Sequence, residues 1–76
     1  MKEYKMFNGK NLEVGEEIRF ADLWQSDDGD EEEILDSGCV WIANDENDEP
    51  VIADFEILQK DEGNLINTLV KVTDIR

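Results

Sequence analysis

The chain has 76 residues, with 21 acids, 7 bases, no histidine and one cysteine, which gives a net charge of −14. That length holds one domain and hides only about 60% of the unfolded surface, so the core must be thin. A field this negative argues against direct binding of DNA, RNA or an anionic membrane. The missing histidine removes Ser–His and Cys–His catalysis and imidazole metal sites, and one thiol allows neither an internal disulfide nor a zinc finger.

Tyr4 to Phe7 reads as a short strand, and Asn8-Gly9 after it is a strong hairpin signal. The partner strand starts near Leu12, and Gly15 marks a turn or bulge. Glu17 to Trp24 reads as a further strand, with Ile18 and Phe20 on one face and Arg19, Ala21 and Leu23 on the other.

Asp27 to Ser37 supports two readings. Asp30 could cap a short helix, with Glu33 at the third position of a capping box, three glutamates in the first turn and Gly38 beyond the end. The rival is an acidic loop running into a strand from Glu33, and it is preferred because the helix would reach only about two turns.

Val40 to Ala43 and Val51 to Leu58 form the clearest strand pair, joined by a polar segment from Asn44 to Pro50. Val51, Ala53, Phe55 and Ile57 share the core face of the second strand. Lys60 to Asn64 is a turn, and Leu65 to Ile75 is the last strand, with Ile66, Thr68, Val70 and Val72 alternating along one face. The expected fold is mainly β: a small barrel-like or curled antiparallel sheet of about five strands, with a short helix near residues 30–37 as the alternative to loop and strand. The Leu-x-Val-Gly-Glu-x-Ile turn at Leu12 to Ile18 resembles openings of SH3-like and OB-like barrels.

The charge is concentrated. Met1 to Arg19 together with Lys71 to Arg76 hold six bases and five acids, a net of +1, whereas Phe20 to Val70 hold sixteen acids and only Lys60, a net of −15. Small domains usually carry a net charge of about 2 to 8 in magnitude, and dense like charge destabilises the compact state. Two runs dominate: Asp27, Asp28, Asp30, Glu31, Glu32 and Glu33; and Asp45, Glu46, Asp48 and Glu49. On an extended strand, Asp54 and Glu56 lie on one face about 6.6 Å apart. Carboxylates in such rows can stand in for phosphates and occupy a basic groove.

Neither run fits an EF-hand calcium loop, because Asp45-x-Asn47-x-Glu49 meets Pro50 where glycine should stand. Carboxylate pairs for acid–base catalysis carry no specificity in so acidic a chain. No enzyme activity, metal or cofactor is therefore expected. Cys39, beside Val40-Trp41-Ile42, reads as a core thiol. Trp24 opens into the first acidic run and is the aromatic best placed to be exposed and to anchor a partner's arginine. The first ten residues hold no apolar stretch like that of a secretory leader, so a soluble cytoplasmic chain is expected.

In small size, charge block and lack of a catalytic set, the chain resembles the acidic inhibitors made by phages and mobile elements. That resemblance implies a non-enzymatic, anti-restriction or anti-CRISPR type of protein. It would bind a basic nucleic-acid-binding protein, either a nuclease or a defence effector, and neither nucleic acid nor membrane directly. The expected contacts are Trp24, Asp27, Asp28, Asp30, Glu31, Glu32, Glu33, Asp45, Glu46, Asp48, Glu49, Asp54 and Glu56. The alternative is a β-barrel adaptor that binds through an apolar patch or a free sheet edge at Leu65 to Ile75, with the acids serving solubility.

Overall fold

The computed structural model describes residues 3–24 and 30–76. It is mainly β. Strands β1 (Glu3–Lys5) and β2 (Asn11–Glu13) make a hairpin. Strands β3 (Glu17–Arg19), β4 (Cys39–Asn44), β5 (Pro50–Gln59) and β6 (Leu69–Ile75) make an antiparallel sheet in the order β3-β6-β5-β4.

The turns follow from local chemistry. In the first hairpin the Met6 N–H donates to the Lys10 carbonyl at 2.8 Å and the Gly9 N–H to the Met6 carbonyl at 2.9 Å, with Gly9 at φ 88°. This is a three-residue loop whose last residue is left-handed, a conformation glycine adopts without a Cβ clash. At the next turn Gly15 donates to the Val72 carbonyl at 2.7 Å and Val72 donates to that of Glu16 at 2.9 Å, so the turn already joins the β3–β6 ladder.

The sheet curls because three residues are extra to its ladders. Trp41 faces Ile52 and Ala43 faces Val51, which leaves Ile42 unmatched in β4. In the same way Thr73 is unmatched in β6, and Leu58 in β5. Each bulge bends its strand and increases the twist. The Thr73 bulge also shifts the inward face of β6 from Val70 and Val72 to Ile75, all three of which are buried. The core lies within the curl, where Val40, Ile42, Val51, Ala53 and Phe55 meet Met6 and Leu12 of the hairpin.

Four expectations are corrected. The strand placed at Glu17 to Trp24 stops at Arg19, and one helical turn, α1 (Phe20–Leu23), follows. Helical spacing puts Phe20 and Leu23 on one side, and both are fully buried, whereas an extended chain would set them on opposite faces. Second, the loop-and-strand reading of the acidic segment gives way to helix α2 (Glu31–Ser37), capped by Asp30 and ended by Gly38 at φ 73°. Its seven residues are too few to stand alone, so the caps and the burial of Leu35 hold it. Third, Leu65–Asn67 is a 3₁₀ turn and not strand, and β6 lies inside the sheet between β3 and β5. The edge expected along Leu65 to Ile75 is therefore not free. Cys39 is half-buried at the start of β4 rather than enclosed in the core.

Candidate functional site

The first acidic group sits on α2. Asp30 Oδ1 accepts the Glu33 N–H at 2.8 Å, the N-cap bond, and the negative first turn suits the helix dipole. Glu32 and Glu33 are exposed and Glu31 is half-buried. Asp27 and Asp28 lie outside the described residues.

The second group forms the β4–β5 turn, which repeats the loop of the first hairpin. Asp45 donates its N–H to the Glu49 carbonyl at 2.9 Å, Asp48 donates to that of Asp45 at 3.0 Å, and Asp48 takes the left-handed position at φ 62°. Asp45 Oδ1 accepts from the N–H groups of Asn47 at 2.8 Å and Glu49 at 3.0 Å, so this carboxylate is turned onto the loop's own backbone. The Asn44 amide donates to Asp48 Oδ1 at 3.3 Å. Glu46, Asp48 and Glu49 are exposed.

Asp54 is engaged elsewhere. It receives Arg76 Nε at 3.0 Å and Nη2 at 3.1 Å in a forked ion pair, and it is half-buried. Glu56 is exposed opposite Lys71. Among the described residues no base comes within ion-pair distance of Glu31, Glu32, Glu33, Glu46, Glu49 or Glu56. The ten described acids of this set therefore divide. Asp30, Asp45 and Asp48 also build local structure, Asp54 is paired with Arg76, and six glutamates have no ion-pair partner among the described residues.

Trp24 is half-buried. Its ring stacks on Phe20, centroids 5.6 Å apart and planes 11° from parallel, and it packs against the core. Its Nε1 is buried and has no hydrogen-bond partner among the described residues.

The two acidic segments flank one strand. Helix α2 leads into β4 at Cys39 and the turn leaves it at Asn44, about 17 Å further along the strand. Asp54 faces Cys39, which puts Asp54 and Glu56 at the α2 end. Setting aside Asp27, Asp28 and Lys2, the described residues hold a net −13 over a longest extent of 38 Å. A DNA duplex of that length carries about 22 charges, so the linear charge density is over half that of nucleic acid.

Two features lie outside the sequence reading. Asp61 Oδ1 accepts from the Gly63 and Asn64 N–H groups, both at 3.1 Å, and its Oδ2 accepts from the Asn67 amide at 3.0 Å. The Asn67 amide above all holds the Asp61 carboxyl below its ordinary 3.8, against some desolvation, with further help from the Asn64 and Gly63 N–H groups and the charge of Arg19. The concavity beside it is lined by Arg19, Gln59, Lys60, Asp61, Glu62, Gly63 and Asn67, and the Asp61 carboxylate in it is taken up by the hydrogen bonds of its own turn.

The second feature is aromatic. Phe7 lies in the first hairpin loop and is 51% exposed. Its ring meets Trp41 edge-on at 5.1 Å, and its N–H donates to the carbonyl of the bulged Ile42 at 3.0 Å. A phenylalanine next to Asn-Gly was the available signal, because a hairpin loop ordinarily carries polar residues.

The chain matches no protein-family model, no curated protein and no solved structure.

Proposed function

We propose that the chain is a non-enzymatic inhibitor whose carboxylates take the place of nucleic-acid phosphates in a basic groove of a nucleic-acid-binding protein, in the manner of anti-restriction and anti-CRISPR proteins. The observation that carries this reading is the set of six glutamates with no base within ion-pair distance among the described residues, distributed over α2, the β4–β5 turn and β5. Holding such charge uncompensated lowers stability, and a basic groove would relieve that cost on binding. The glutamates act as acceptors for lysine and arginine, while Asp30 and Asp45 fix the segments that present them.

Neutralisation tests this. Replacing Glu32, Glu33, Glu46 and Glu49 by glutamine, singly and together, should weaken binding to a nucleic-acid enzyme captured from host lysate by about 0.5 kcal/mol per site, and should flatten the salt dependence in step. Unchanged affinity in the quadruple variant would remove the acids from the interface.

One observation favours an adaptor as the second reading. Beyond Asp54, β5 runs past the start of β4, and the Phe55 N–H already bonds to the Gly38 carbonyl outside that strand. Ile57 and Leu58 on this stretch are 40% and 43% exposed. A partner strand added there would bind through backbone bonds and apolar side chains, and salt would weaken it little. An Ile57→Lys change should abolish that mode and leave groove binding intact.

A further inference from the structure

We propose that the outer end of β5 takes an extended segment of a basic partner protein, with a lysine or arginine set beside Glu56 and a β-branched apolar residue beside Ile57. This inference rests on the strand-addition reading of β5 and names the occupant of that edge. It stands apart from the groove-blocking reading, because Glu56 is the one acid it uses.

The edge is open by register. Strand β4 begins at Cys39 opposite Asp54, and the Phe55 N–H donates to the Gly38 carbonyl at 2.8 Å. Gly38, at φ 73°, ends helix α2, so the chain before it no longer runs beside β5 as strand. Backbone groups along a strand alternate sides with a period of two, so the Ile57 N–H and carbonyl point the same way as the Phe55 N–H. Among the described residues no backbone group bonds to Ile57 from that side.

The rows that cross the sheet specify what fits there. Glu17 of β3 faces Lys71 of β6, and Lys71 faces Glu56 of β5. Charge alternates along this row, which ends on an exposed glutamate with no base within ion-pair distance among the described residues. A base at the next position continues the alternation. In the neighbouring row Ile18 faces Val70, and Val70 faces Ile57. Val70 is fully buried between its neighbours, whereas Ile57, with no strand beyond it, is 40% exposed. An apolar side chain at the next position covers it. Directly opposed residues of adjacent strands have Cβ atoms about 5 Å apart, close enough for both matches to be contacts. Successive residues of a strand point to opposite faces, so a base and an apolar residue side by side meet both rows at once. A second copy of this chain fits less well: Phe55 to Gln59 holds no base to oppose Glu56, and the copy brings its own net −14.

The test titrates the full chain, isotope-labelled for NMR, with a heptapeptide alternating lysine and valine. A peptide of the same composition with its lysines and valines in separate blocks controls for charge. An alternating threonine–valine peptide controls for pairing at the edge. The lysine–valine peptide should bind most tightly and should slow hydrogen exchange at the Ile57 amide. Glu56→Lys should weaken it about ten-fold by turning a cross-strand attraction into a repulsion, whereas Glu46→Lys, with the same net charge but in the β4–β5 turn, should change it by less than about two-fold. Equal affinity for the threonine–valine peptide, with equal protection of Ile57, would overturn the basic partner and leave the strand-addition reading standing. No protection of Ile57 by any peptide would overturn both. Protection already present in the free chain, and rising with its concentration, would give the edge to a second copy and overturn the basic partner.

Discussion

Asp48 is where local geometry and charge conflict most directly. It holds a left-handed backbone in the position that Gly9 fills in the matching hairpin, and it adds to a cluster with Asp45, Glu46 and Glu49. Aspartate tolerates that region better than most residues but less well than glycine. Asp48→Gly should raise stability by about 0.5 kcal/mol in urea unfolding, through relief of backbone strain and of like charge. Asp61 gives a pH-dependent counterpart. Its folded-state carboxyl titrates below 3.8, chiefly because of Asn67, so its contribution is present above that value and lost as pH falls through the lower folded one. Asn67→Ala should move the Asp61 titration back up towards 3.8 in carboxyl NMR and make the loss of stability below that pH shallower. Asp48 also shows what could be read from single residues. The turns at Gly9 and Gly15 were legible because glycine there answers a positive φ. The second hairpin loop has the same shape but carries aspartate, so its type could not be read from composition.

Helix α2 shows how element-scale reasoning can find every part and still weigh them wrongly. The cap at Asp30, the capping bond to Glu33 and the left-handed Gly38 were all written in the sequence. What tipped the balance was tertiary: Leu35 is buried, and that burial offsets the weakness of a seven-residue helix. The strand readings agree with the structure where alternation is unbroken, as at Val51, Ala53 and Phe55, all on the core face. The bulges at Ile42, Leu58 and Thr73 answer the curvature of the whole sheet and leave little local trace. Trp24 lies elsewhere than a strand would place it, for a related reason. A strand would have carried it to the rim, whereas the α1 turn folds it back onto Phe20. At this scale the cap and the charge of Asp30 can be separated. Asp30→Ala should cost about 1 kcal/mol of stability, while Asp30→Asn keeps the cap at almost no cost. If Asp30 contributes to binding through charge, both variants should weaken the complex alike although only one destabilises the fold.

For the molecule as a whole, the governing quantity is the net −14. Self-repulsion should make the free protein more stable as salt screens it. Between 0.02 and 0.5 M sodium chloride the Debye length falls from about 20 to about 4 Å, and Tm should rise by about 5 °C. A complex held by the same charges should respond in the opposite sense. That opposition separates charge kept for binding from charge kept for solubility, because a solubilising surface would give the first response without the second. The candidate acids were legible as residue types and runs, but their arrangement was not. Their division between the two ends of β4, and the neutralisation of Asp54 by Arg76, depend on strand register.

The most direct test of the groove-blocking account is displacement. The chain is immobilised, host lysate is passed over it at low salt, and a DNA duplex is applied before any rise in salt. The account predicts that the duplex alone releases a nucleic-acid enzyme, since both ligands would occupy one basic groove. A partner that stays bound through the duplex wash and through high salt would contradict it, and would assign binding to the apolar end of β5.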